Sequence, residues 1–478
     1  MSVVTTFECE TQRTESPRVS QFFGKRVHFI GIGGCGMSGL ARMLLDAGAI
    51  VTGSDPKPNA TTFAFMKSGI RISRAQDGEL LAPDVDLVVR TAAVKDDNAE
   101  FKRALSLRLP HMKYAQLLGE VMRERQGVAV AGTHGKSTTT AMIAYALTQC
   151  HQDPSWVVGG TVPQLGGGAA SGQGNSFVVE ACEFARSFHS LHPTIALITN
   201  IEADHLDYYK DIDDIIESFT HFVSLLPPSG MVICNATDAN VKRALADTHC
   251  TIQTVGVDVD ATWSTRCTGI INGCHTGQVF YKNQPVATLK LAVPGAHNLF
   301  NATMAIAACV ACGVPAEEAA QALATFAGVD RRMSHVGTYN GADIIDDYGH
   351  HPTEIRATLK ALRERFLPRK LYCVFQPHQH SRTRLLLEEF AHCFADADQV
   401  VLSDIYQCRD SEADQQAMNS AILASHIAAT GKNVLYIPAF AQITEHLKAV
   451  VAPGDLVLTI GAGNVCDIGK DLADEPAT

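Results

Sequence analysis

The stretch "VAVAGTHGKSTTTAMIAYAL", residues 128–147, decides the fold. Around it, "GVAVAG" (127–132) reads as a buried strand and "KSTTTAMIAYALTQC" (136–150) as a helix. Between the apolar strand and the helix stands Gly132-Thr133-His134-Gly135-Lys136-Ser137. Strand, glycine loop and helix form the layout of a phosphate-binding loop. Backbone N–H groups at the helix N-terminus face an anion, a lysine reaches the outer phosphates, and a hydroxyl can ligate Mg2+. The longer form of such a loop is G-x-x-x-x-G-K-[ST]. Here the slot of its first glycine is Val130, and the glycine that occurs is Gly132. The spacing predicts a tighter loop that still holds phosphate, with Lys136 and Ser137 in the two chemical roles.

A second glycine loop lies upstream. "RVHFIGIGGCGMSGLARMLLDAGAIVTGSD" (26–55) reads strand, glycine turn, helix, strand. Gly31, Gly33 and Gly36 match G-x-G-x-x-G, with Gly34 between them, and Asp55 closes the second strand. This is the dinucleotide-fold fingerprint, in which glycines let the backbone approach a diphosphate. A nicotinamide oxidoreductase would account for this loop but has no use for the one that carries Lys136.

Further chemistry-bearing residues cluster where strands end, the usual place for function in an open α/β sheet. Glu180 and Glu183 follow "SFVVE". Glu202, Asp204, His205 and Asp207 follow "TIALITN". "IDDYGHHPTE" (345–354) and "FQPHQHSRTR" (375–384) bring Asp346, Asp347, His350, His351, His378, His380, Arg382 and Arg384 into what read as two short loops. Four histidines in two such loops predict a functional surface.

The chain has 478 residues, 46% hydrophobic and 19% charged, an ordinary globular composition too long for one core. Alternating strands and helices predict an α/β protein of three domains, each an open, mostly parallel sheet with flanking helices. They are a Rossmann-like domain at 1–125, a central P-loop domain at 126–328 and a Rossmann-like C-terminal domain at 329–478. A net charge of −11 argues against a nucleic-acid partner. The first 20 residues lack an apolar signal core, and no apolar run reaches ~18 residues, so a cytoplasmic chain without a membrane partner is expected. The 14 cysteines are scattered and expected to be reduced. Cys309 and Cys312 share one face of an apolar helix, which reads as core.

In order, GIGGCGMSGLA, GTHGKSTTT, EACE, TNIEADHLDYY, PGAHNLFNA, DRR, DDYGHHPTE and FQPHQHSRTR resemble the motifs of the Mur ligases, across about residues 25–465. Within that family the motifs are most similar to the branch that joins L-alanine to UDP-N-acetylmuramate. The resemblance implies an ATP-dependent, amide-forming ligase of peptidoglycan synthesis that works through an acyl phosphate. It implies that the short Gly132–Ser137 loop binds ATP and that the first domain binds a UDP-sugar in place of a dinucleotide. It implies that Lys136 neutralises the outer phosphates, that Ser137 and Glu180 hold one Mg2+, and that His205 holds a second. Asn298 and Asn301 match nucleotide contacts, and Arg332 and Asp347 match third-domain contacts to ATP. Tyr348, His350, His351, His378 and Arg382 match positions around the substrates. A monomer or weak homodimer is expected.

The chain departs from the family pattern at Cys182 and Phe184, at Gln379 and His380, and at "VVRTAA" (88–93). Where Gln379 stands, an arginine is usual, and Arg382 or Arg384 is the expected substitute cation. A ligase that attaches a ready-made tripeptide to the same UDP-sugar, and a catalytically silent UDP-sugar binder, are the competing readings. Intact Lys136, Ser137, Glu180 and His205 argue against the second.

Overall fold

Parallel strands covered on both faces need unbroken apolar runs. The chain supplies them at Gln126–Ala131, Ile195–Ile198, Leu371–Phe375 and Leu456–Ile460. The computed structural model describes residues 20–91 and 93–474 and orders their strands into three sheets. Residues 1–20, on which no signal sequence was read, lie outside the described part apart from Ser20, and so does Ala92 of the 88–93 segment.

The first sheet has five parallel strands, in spatial order Arg71–Ser73, Ile50–Ser54, Arg26–Ile30, Leu87–Arg90 and His111–Lys113. The chain steps outward from its first strand in both directions. That leaves the glycine loop at the point where strand order reverses, at the carboxyl end of Arg26–Ile30 and ahead of helix Cys35–Asp46. Beneath the loop is a buried polar network that sequence reading missed. His28 Nε2 meets Glu100 Oε1 at 2.9 Å, His28 Nδ1 meets Thr52 Oγ1 at 2.8 Å, and Ser54 donates to the other Glu100 oxygen. Each of these buried groups has a partner, which is what makes such burial tolerable.

The second sheet has ten strands. Its parallel centre runs Thr251–Val257, Met231–Asn235, Ile195–Ile198, Gln126–Ala131, Ser176–Glu180 and Ser155–Val162. One edge carries the antiparallel meander Trp263–Ile271, Cys274–Tyr281 and Gln284–Lys290, and the other carries Gly167–Ala170. Helices Lys136–Gln149 and Ala296–Ala311 pack together over this sheet, with Ala141, Ala144, Ala302 and Ala305 fully buried. The third sheet orders Ser334–Tyr339, Ala342–Asp347, Leu456–Ile460, Leu371–Phe375, Gln399–Leu402 and Val434–Tyr436, with only the first pairing antiparallel.

The backbone divides into two compact units after Lys113, ahead of residue 125. Helix Tyr114–Met122 joins the second unit because its Gly119 lies against the 184–190 turn. A Cβ there would sit 1.8 Å from the Ser190 carbonyl oxygen. Residues 380–391 form two short helices, His380–Leu385 and Leu387–Ala391. Leu386 leaves the helical region at φ −110°, ψ 28°. Among the described residues, no helix is long and apolar enough to cross a membrane. All thirteen described cysteines are free, with Cys309 buried in its helix.

Candidate active site

Val130 explains the short loop. It is still in the strand, paired in register with Glu180, and buried. The turn begins only at Gly132, whose φ is 136° and whose added Cβ would lie 2.0 Å from Thr199 Oγ1. Gly135, at φ 81°, caps the helix, and a Cβ there would meet Asn301 Oδ1 at 2.9 Å. Both positions therefore require glycine. The loop is clamped by Thr199 and Asn200. Thr199 Oγ1 donates to the His134 carbonyl at 2.6 Å. The His134 and Thr133 amides donate to Asn200 Oδ1 and O at 2.8 and 3.0 Å. The expectation drawn from "TNIEADHLDYY" concerned its acids, yet its Thr-Asn pair is what shapes the phosphate loop.

Lys136 folds back over that loop. Its Nζ donates to the carbonyls of Gly132 (2.6 Å) and Thr133 (3.0 Å) and to Glu183 Oε1 (3.0 Å). Burial works against its charge, but Glu183, Cys182 and Glu180 together outweigh it, so the ammonium is held above its usual range. Glu183 is almost fully buried, and its second oxygen has no partner. His205 stands beside it, Nε2 3.9 Å from Glu183 Oε1, with a buried, unpartnered Nδ1 and a left-handed backbone at φ 52°. Two unpartnered buried polar atoms and a strained residue at one spot are the marks of a site built for a ligand. Glu180 accepts the Gly159 amide at 2.8 Å. Ser137 opens the helix beside Lys136 and lines the neighbouring cleft.

That cleft, about 460 Å³, lies between the second and third sheets. His134 and Ser137 line one wall, Asn298 and Asn301 a second, and Arg332 and Asp347 a third, with Val293, Phe300 and Phe366 as apolar lining. The size suits a nucleotide-class ligand. The asparagines are fixed in series: Asn301 Nδ2 donates to Asn298 Oδ1 at 3.0 Å, and Asn298 Nδ2 to the Pro294 carbonyl at 2.7 Å. Asp347 accepts the Gly349 and Met333 amides at 2.6 and 2.8 Å, while burial lifts its pKa to about 6. Arg332 points at Glu354, 3.6 Å away.

The two histidine-rich segments are more ordered than the loops expected from sequence. Asp346 and Asp347 end a strand, and Asp346 is spent on Arg331 and Thr459. His351 caps helix Pro352–Phe366, and His380, Arg382 and Arg384 lie on helix His380–Leu385. The four histidines also separate. His350 and His378 face each other at 5.8 Å, and His351 lies 4.7 Å from His134. His380 Nδ1 turns to the Met418 carbonyl at 2.7 Å. Burial holds His350 at about 3 and His378 at about 4, so both are neutral near pH 7.

The expected substitute cations are already engaged. Arg382 Nε and Nη2 both donate to Asp204 Oδ1, at 3.0 and 2.8 Å, and Arg384 pairs with Asp414 at 2.9 Å. Gln379 instead donates to Asp207 Oδ2 at 3.3 Å, and that oxygen also receives Arg409 Nε at 3.1 Å. Arg409 lies over the Phe184 ring, 4.2 Å from its centroid, and Phe184 lies 4.9 Å from His205. The guanidinium at this position was missed because it comes from a distant loop with no motif around it. Glu354, which binds the His350 and His351 amides and faces His134, was hidden as an ordinary capping glutamate.

In the first unit, Gly31 takes φ 84° and Gly33 donates its amide to Asp55 Oδ2 at 2.8 Å. Asp55 also accepts the Lys57 amide at 2.9 Å, so its carboxylate braces the glycine turn. Gly34 caps the following helix, and Gly36 lies in its first turn.

Three family models match along the chain. They are the Mur ligase family catalytic domain at 26–126, the Mur ligase middle domain at 130–309 and the Mur ligase glutamate ligase domain at 331–463. A UDP-N-acetylmuramate–L-alanine ligase of Acetivibrio thermocellus is 44% identical over 449 residues, covering 93% of this chain and 95% of the relative. The corresponding ligase of Caldanaerobacter subterraneus is 41% identical, covering 94% and 98%. Among solved structures, a UDP-N-acetylmuramate–alanine ligase of Thermotoga maritima is similar at TM-score 0.76 and 28% identity, covering 94% of this chain and 98% of that one. A murein peptide ligase of Psychrobacter arcticus is similar at 0.69 and 26%, covering 95% and 100%. With relatives above 40% identity over nearly its whole length and the family's three domains in order, the chain belongs to the Mur ligase family.

Proposed function

We propose that the protein joins L-alanine to the carboxylate of UDP-N-acetylmuramate, with hydrolysis of ATP to ADP and phosphate, in peptidoglycan precursor synthesis. The observation that carries this reading is the buried Lys136–Glu183 pair on a phosphate loop, with His205 beside it and polar atoms left unpartnered on both Glu183 and His205. A carboxylate is a poor electrophile. Attack of its oxygen on the γ-phosphorus, with ADP leaving, gives an acyl phosphate. The alanine amine then adds to the carbonyl carbon, the C–O bond to phosphate breaks, and the amine gives up a proton. Such a reaction needs positioning and charge neutralisation more than covalent catalysis.

Each residue follows from that need. Lys136 would exchange Glu183 for the outer phosphates. Asn298, Asn301 and Arg332 would hold the nucleotide in the cleft, with Gly132, Thr133, His134 and Gly135 at its phosphates and Asp347 fixing the far wall. Ser137 and Glu180 supply hard oxygen donors that fit one Mg2+, and the free Glu183 oxygen beside His205 supplies the oxygen donor for a second, with His205 completing that site. Bound there, Mg2+ would neutralise charge on the phosphates. The Gly31–Gly36 loop would receive the UDP diphosphate. Tyr348, His350, His351, His378 and Arg382 would border the amino-acid side. The reaction's substrates, the free cysteines and the lack of a membrane-crossing helix among the described residues support a cytoplasmic enzyme. A monomer or weak homodimer with no nucleic-acid or membrane partner completes the reading.

Phosphate release is the test, with ATP, Mg2+ and UDP-N-acetylmuramate against L-alanine, glycine, L-serine and the cell-wall tripeptide. L-Alanine is expected to give the highest kcat/KM. A preference for the tripeptide would transfer the chain to the recycling ligases.

A further inference from the structure

Among the described residues, one group of histidine and carboxylate side chains gathers like a metal site away from the residues assigned to Mg2+. It is His134 of the phosphate loop, Glu202 of the loop after strand Ile195–Ile198, and His351 at the start of helix Pro352–Phe366. One donor atom from each lies within 4.8 Å of the other two. His134 Nε2 is 3.4 Å and His351 Nδ1 3.8 Å from the same oxygen, Glu202 Oε2. Ligands about 2.0–2.1 Å from a tetrahedral metal stand roughly 3.3 Å apart. The two separations from Glu202 Oε2 exceed that by about 0.1 and 0.5 Å, and the two imidazoles would move closer together as the ion bound.

His351 Nδ1 accepts the Thr353 amide at 3.3 Å, a long bond that an ion on the Glu202 side, 3.8 Å away, would replace. His351 is 6% exposed and its Nε2 has no partner, so the ring is held without a full set of bonds of its own. Outer partners are in place as well. Glu354 Oε1 stands 3.4 Å from His134 Nδ1, the arrangement that orients a metal-binding imidazole, and Thr353 Oγ1 donates to Glu202 at 2.8 Å.

We propose that His134, Glu202 and His351 form a site for a borderline divalent ion of the Zn2+ class, separate from the magnesium sites. Two imidazoles and one carboxylate suit Zn2+, whereas Mg2+ prefers an all-oxygen shell. The ion displaces the proton that His134 shares with Glu202. It joins the phosphate loop to the third sheet's leading helix, so an occupied site holds the second and third sheets together around the cleft and slows nucleotide exchange.

Co2+ titration of the full-length, reduced protein in excess Mg2+ tests this. Expected is one Co2+ per chain with intense four-coordinate d–d absorption, no thiolate charge-transfer band, and displacement by one equivalent of Zn2+. His351→Asn keeps a helix cap and Glu202→Gln keeps an acceptor for Thr353, so both variants are expected to fold, as circular dichroism will report. Each should lose the absorption and bind Zn2+ at least about tenfold more weakly. Zn2+ should raise the melting temperature of the parent and of neither variant. A weak six-coordinate spectrum, a thiolate band, or absorption that survives in both folded variants overturns the proposal. None of these readouts depends on ligase activity.

Discussion

At the scale of single residues, two charges define the site. Lys136 is the cation nearest the expected phosphoryl transfer, and its present partners are two loop carbonyls and Glu183. Lys136→Ala is expected to lower kcat by orders of magnitude, because it removes charge stabilisation needed during transfer, and to lower the melting temperature as well, because it strands the buried Glu183 carboxylate. Steady-state kinetics with a melting curve decide it, and near-normal turnover in a folded variant refutes the role. Arg382 has a different meaning from the one its motif suggests. With Asp204 it forms a buried pair whose members are 6% and 9% exposed, and it holds the Asp204 carboxyl well below the usual range despite burial. Arg382→Ala leaves a buried carboxylate alone and is expected to destabilise the second unit by about 3–5 kcal/mol. Denaturant unfolding of the double variant Arg382→Gln/Asp204→Asn should recover much of that loss. An Arg382→Ala protein as stable as the parent would show that the pair is not structural.

At the scale of elements, the readable parts were those whose pattern is local. The strand at 126–131, its glycine loop and the helix from Lys136 follow from one continuous stretch, and so does the Gly31–Gly36 turn. What could not be read depends on segments far apart in sequence. Thr199 and Asn200 clamp a loop more than sixty positions away, and Arg409 shares Asp207 with Gln379. Nothing in the local pattern marks such partners. The histidine segments were read as loops because glycine and proline interrupt them, yet Pro352 suits a first helical turn and Glu354 completes the cap. His378 carries a prediction at this scale. Neutral, it accepts from Arg382 at 3.2 Å and stacks on Tyr406 at 5.4 Å, joining helix His380–Leu385 to the loop after Gln399–Leu402. Burial lowers its pKa to about 4, so the unfolded chain binds a proton between about 6.5 and 4 that the folded one refuses. Stability is therefore flat in this residue's contribution above pH 6.5 and falls as pH drops toward 4. His378→Asn should show a shallower fall by up to about one proton, measured by urea unfolding at pH 7.5 and 5. An unchanged slope would mean that His378 titrates normally.

At the scale of the whole molecule, the three sheets place their functional loops at strand carboxyl ends, and the second and third enclose the nucleotide cleft. The resting charge of that cleft has a kinetic side. Lys136 is neutralised within the protein by Glu183, and the chain as a whole carries −11, so an approaching nucleotide meets little long-range attraction. Capture then depends on collision and local exchange of ionic partners, with scant steering through the solvent. Association of a fluorescent ATP analogue, followed by stopped flow, should vary less than about threefold between 20 mM and 300 mM salt, unlike electrostatically guided binding. Glu183→Gln frees the ammonium and should make the rate both faster at low salt and more sensitive to ionic strength. A steep salt dependence in the parent would mean that the lysine's charge is felt outside. If it is not, the ligase senses nucleotide only at close range, and its speed of loading follows ATP concentration while remaining indifferent to the ionic state of the surrounding solution.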